Sequence, residues 1–96
     1  MAKAQIDPVT RAVFKMARGL SFQVTRKEFK LSDFCRKAVQ SALLDVQYGD
    51  LGDAVKTLTD VPPADHAEVS AAFVRCVDLA TAEWNRPCPY TAPELQ

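Results

Sequence analysis

Glycine is scarce in this chain. Gly19, Gly49 and Gly52 are too few and too scattered for a loop that cradles phosphate with successive backbone N–H groups. One histidine, His66, is present, so paired imidazoles are excluded both as metal ligands and as acid–base partners. Cys35, Cys76 and Cys88 are odd in number and lie far apart. With His66 they make a four-ligand set on paper, but zinc sites bring ligands in close pairs, and none of these are paired that way. No metal and no cofactor is expected. The N-terminus shows no apolar stretch of about 7–15 residues, the length a secretory signal needs, so a reducing cytoplasm is the expected setting. No run approaches the ~18–20 apolar residues that span a bilayer, and no membrane contact is expected.

What is present is an ordinary globular composition, 48% hydrophobic and 25% charged over 96 residues. It fits one folded domain over residues 1–96. A core of that size gives modest stability, which makes self-association, for example as a homodimer, an expectation to test. The net charge is zero but the charges are sorted. Residues 1–40 hold nine Lys/Arg against three Asp/Glu, and residues 41–96 hold three against nine. Such a dipole argues about partners and steering rather than fold, and it points to an anionic partner for the first half.

Hydrophobic periodicity predicts an all-α domain, a small four-helix bundle packed around its fourth helix. Asp7-Pro8 is a strong helix start, because the carboxylate caps free N–H groups and proline is already at a helical φ. The first helix is predicted over about residues 8–20, with Val9, Val13, Met16 and Leu20 inward and Arg11, Lys15 and Arg18 on the opposite face. Phe14 falls beside the basic stripe. From Gly19 to Lys30, Phe22 and Val24 alternate with Ser21, Gln23 and Thr25, which reads as an irregular loop or short strand. Ser32 caps a second helix over about 32–48, with an apolar arc of Phe34, Cys35, Ala38, Val39, Ala42, Leu43 and Val46, ended by Gly49. A third is predicted over about 51–59, capped by Asp50 and stopped by Pro62-Pro63. The fourth, about 64–85, carries Val69, Phe73, Cys76, Val77, Ala80 and Trp84, and an extended tail occupies 86–96.

The alternating segment Leu20 to Phe29, followed by Leu31-Ser32-Asp33-Phe34-Cys35-Arg36-Lys37-Ala38, resembles pieces of the ribbon-helix-helix repressors. In that family a strand leads into one helix, and a second helix opens on a motif similar to residues 31–38. Here no helix fits between Glu28 and Leu31, so the resemblance stops short of the family's topology.

The candidate binding face is basic: Arg11, Lys15, Arg18, Arg26, Lys27, Lys30, Arg36 and Lys37, with Phe14 placed to stack. If these cations converge, they suffice to hold an anionic partner. The alternative is a set of solvated faces neutralised by the acidic second half. Candidate self-association residues are Val74, Leu79, Trp84 and Tyr90, apolar or aromatic side chains off the main stripe or near the tail. His66 reads as a packed or capping side chain, and Asp50/Asp53 and Asp60/Asp65 sit at turns where aspartate caps backbone, so no catalytic residue is assigned. The expected function is binding without chemistry, by a small regulatory or accessory protein of the bacterial or phage inhibitor or adaptor type. Its expected partner is a protein or nucleoprotein complex with an acidic surface. The alternatives are direct nucleic-acid binding through phosphates and sequestration of a small anionic ligand such as a nucleotide.

Overall fold

A computed structural model describes residues 6–85. Four helices, α1 (Pro8–Lys27), α2 (Asp33–Gln47), α3 (Leu51–Thr59) and α4 (His66–Trp84), account for most of it, with a single 3₁₀ turn at Pro63–Asp65 and no strand among the described residues. The all-α class read from periodicity is the observed one.

The first helix is longer than its apolar pattern suggests. Asp7 accepts the Thr10 N–H at 3.1 Å and Pro8 fills the first turn, as the capping rule requires. The helix then passes Gly19 without ending and runs to Lys27. The segment expected as a loop or strand is therefore helical through its first two turns. Two hydroxyls explain how polar residues sit inside. Ser21 donates to the Arg18 carbonyl and Thr25 to the Ser21 carbonyl, each at 2.6 Å, and both residues are fully buried. Satisfied within their own helix, they lose little on leaving water. This also removes the strand on which the ribbon-helix-helix resemblance depended. Beyond the helix, Lys30 takes a left-handed conformation (φ 54°) and the Leu31 N–H reaches back to the Thr25 carbonyl at 3.0 Å.

At α2, Ser32 accepts the Cys35 N–H at 3.2 Å. Its C-terminus closes on Gly49 (φ 82°): the Asp50 N–H bonds to the Asp45 carbonyl at 2.8 Å and the Gly49 N–H to the Val46 carbonyl at 3.0 Å. That two-bond closure needs a left-handed residue, which glycine supplies without a Cβ clash. Asp50 occupies the N-cap position of α3, but its side chain does not cap. There its carbonyl accepts the Ala54 N–H at 3.0 Å.

The core joins Val13, Ala17 and Val24 of α1, Cys35, Ala38, Val39 and Leu43 of α2, Val61, and Val69, Ala72, Cys76 and Ala80 of α4. The central helix is α1, which packs on both α2 and α4, while α2 and α4 touch less. This corrects the expectation of a bundle around α4. The reason is side-chain size: Ala17 and Ser21 are completely buried, and such small residues let two neighbours approach one helix closely. Val9 and Phe34, expected inside, are exposed at 49% and 61%. Each lies well to the side of the centre of its helix's buried stripe, placed at 100° per residue. No helix among the described residues is long and apolar enough to cross a membrane.

Candidate docking groove on α1 and α2

On α1, Arg11, Lys15, Arg18, Phe22 and Arg26 fall within about 80° of the helix circumference at 100° per residue. Opposite them lie Val13, Ala17 and Val24, which are buried. Helix α2 brings Arg36, Lys37, Gln40, Ser41 and Leu44 alongside.

Between the two helices runs an open groove of about 620 Å³ lined by Lys15, Arg18, Gly19 and Phe22 of α1 and by Gln40, Ser41 and Leu44 of α2. A smaller depression continues it between Phe22 and Asp33, Arg36, Lys37 and Gln40, and a third lies between Phe22, Gln23, Arg26 and Lys27. Phe22 belongs to all three. Its ring is 55% exposed, and the Arg26 guanidinium stands 5.2 Å from its centroid, within cation–π range.

Six of the eight expected cations thus surround one exposed aromatic ring: Lys15, Arg18, Arg26, Lys27, Arg36 and Lys37. Arg11 prolongs the stripe by one turn, and Lys30 sits in the left-handed turn after α1. Among the described residues, one acid lines these depressions, Asp33, and it pairs with Arg36. The other acid of this region, Glu28, is drawn away by Arg75 of α4, whose Nε donates to it at 2.9 Å.

Phe14 is not part of this surface. It is half-buried and meets Phe73 of α4 with ring centroids 6.2 Å apart. Phe22 holds the place expected for Phe14. Its signal was available in the spacing 15, 18, 22, 26, once Gly19 is allowed inside a helix. Of the self-association candidates, Val74 and Trp84 are exposed at 54% and 44%. Leu79 packs against the core, and Tyr90 lies outside the described residues.

Among the described residues, Cys35, Cys76 and His66 are engaged in structure. The Cys35 thiol lies 3.6 Å from Asp65 Oδ2 and donates to it. Burial pushes the Cys76 thiol up to about 11, with the Glu28 charge adding to the shift and Arg75 opposing it, so its nucleophilic thiolate is disfavoured. His66 Nε2 lies 2.7 Å from the Val61 carbonyl and 3.1 Å from that of Thr59. As an N–H donor it ties the end of α3 to the start of α4. At the α2–α3 junction, the Asp45 pKa is raised from its ordinary value by burial and by the charges of Asp53 and Asp50, against a Thr57 hydroxyl bond at 3.4 Å. No cluster of three potential metal ligands occurs among the described residues. Cys88 lies outside them. Comparison with protein-family models, curated proteins and solved structures finds no match.

Proposed function

We propose that this protein is a non-enzymatic binding module, a small regulatory or accessory protein of the inhibitor or adaptor kind, that docks on an acidic macromolecular partner through the α1–α2 groove. The observation that carries this reading is the presence of Lys15, Arg18 and Lys37 around Phe22, with Arg36 paired to Asp33 and Glu28 held by Arg75 rather than by the groove cations. Cations gathered on one face steer an anionic partner, and an exposed aromatic residue among them supplies the apolar contact that interfaces concentrate at their centre. The groove is open rather than enclosed, which suits a macromolecule better than a sequestered nucleotide. Binding without chemistry fits a chain whose buried thiols and single histidine are occupied in packing and capping.

Affinity capture from a cell lysate, followed by mass spectrometry, tests the reading. A stoichiometric protein should be retained by the wild type and lost with Lys15→Glu combined with Arg18→Glu. Retention of nothing, or equal retention by both, contradicts it. A second reading, single-stranded nucleic acid, is favoured by one observation, the Phe22 ring beside Arg26, a pairing on which a base can stack. It predicts that nuclease treatment of the lysate removes the captured material.

A further inference from the structure

The groove is more specific than a positive surface. Its wall combines the exposed Phe22 ring with half-buried Leu44, and at Gly19 it has no side chain. A Cβ built at Gly19 meets nothing within 4 Å, so room remains beside the ring. Polar Gln40 and Ser41 lie along the α2 side. Lys15 and Arg18 border this apolar stretch, and Arg36 and Lys37 lie where the groove continues past Phe22. From Lys15 to Arg26 the helix rises about 16 Å, which three turns of a partner helix or about five extended residues would match.

A polyphosphate chain would use the cations and leave the Leu44 and Gly19 stretch unfilled. An acidic peptide with one apolar side chain would use both. We propose that the groove receives such a segment, its aliphatic or aromatic anchor inserted beside Phe22 and Leu44 while flanking carboxylates meet Lys15, Arg18 and Lys37. This rests on the docking function proposed above and names the chemistry of its partner. Charge complementarity selects the acidic class, because Lys15 and Arg18 border the apolar stretch and Lys37 lies where the groove continues past Phe22. The anchor then sets register and residence time, since the charges mainly raise the rate of encounter.

The test is fluorescence anisotropy at low salt with labelled acidic peptides about twelve residues long, enough as a helix to span the groove. Each is mostly Asp and Glu with one central Leu, Phe or Trp, and a matched peptide carries Ala there. An oligothymidylate of equal charge is the competitor. At least one anchored peptide should bind about tenfold or more tighter than its alanine partner, the effect of burying one large apolar side chain. Phe22→Ala, at an exposed position, and Gly19→Leu, which places a side chain beside the groove, should abolish that difference.

Equal binding of anchored and alanine peptides, sensitive to Lys15→Glu with Arg18→Glu, would overturn the anchor proposal and leave the acidic-partner reading standing. Tighter binding of oligothymidylate than of every peptide would overturn it in favour of nucleic acid. Failure of every anion to bind would overturn both the proposal and the function on which it rests.

Discussion

The guanidinium of Arg75 donates to the carboxylate of Glu28 across 2.9 Å, joining the C-terminal end of α1 to the middle of α4. The pair crosses the charge division of the sequence in an unexpected sense. It takes an acid out of the basic half, using a cation of the acidic half. The positive field over the α1–α2 groove is stronger for it, because the nearest carboxylate in sequence to Arg26 and Lys27 faces another helix.

Both partners are about half exposed, so their direct contribution to stability is small. A double-mutant cycle with Glu28→Gln and Arg75→Gln, followed by urea unfolding, should give a coupling of about 0.5 kcal/mol that shrinks in high salt. A coupling unaffected by salt would mean that the contact is not electrostatic.

Gly19→Ala should raise stability by about 0.5–1 kcal/mol, because glycine in a helix interior costs that much relative to alanine and the added methyl meets no neighbour within 4 Å. Urea or thermal unfolding measures it. Loss of stability would mean that α1 does not continue through residue 19, and with it the groove geometry would fail.

The close approach of α2 and α4 to α1 depends on small residues. Enlarging Ala17, fully buried, to leucine should cost about 1–3 kcal/mol through overpacking. Truncating Leu43, also fully buried, to alanine should cost about 2–5 kcal/mol through lost burial and the cavity left. The same enlargement at exposed Ala71 should be nearly neutral. Unfolding titrations of the three variants compare them.

Stability should also fall on the alkaline side through Cys76. Its thiol pKa is raised from 9.0 to about 11 on folding, so between those values the native state holds a proton that the unfolded chain has released. Stability therefore decreases as pH climbs through that window. Cys76→Ala should flatten the decline, and iodoacetamide at pH 8 should alkylate Cys76 only as the protein opens. Asp45 works the same way at low pH: its raised carboxyl is more easily kept protonated in the folded state, so Asp45→Asn should stabilise at neutral pH.

Much of the fold was legible because it rests on local chemistry. Asp7-Pro8, Ser32 and Gly49 mark helix ends by capping or by left-handed geometry, and those ends are where the structure has them. The extent of α1 was not, since Ser21 and Thr25 look polar until their hydroxyls are seen bonded within the helix. Phe22 is hidden in the sequence for the same reason, because a loop residue has no helical face. Which helix is central was equally hidden. Periodicity shows that a helix has an apolar stripe but not how many neighbours the stripe can admit, and that depends on the size of residues such as Ala17 in three dimensions. The convergence of cations from α1 and α2 required tertiary structure, as the two segments are separated by the turn around Lys30.

In the proposed function, cations of α1 and α2 act as one binding surface. The most direct test is the affinity of labelled polyglutamate for three proteins, the wild type, Lys15→Glu with Arg18→Glu and Lys37→Glu, and a control Lys56→Glu on α3. Binding should weaken steeply with salt, fall about tenfold or more in the triple variant, and stay near wild type in the control. Equal loss in the triple variant and the control, each compared per charge reversed, or no measurable binding by the wild type at low salt, would contradict the proposed function.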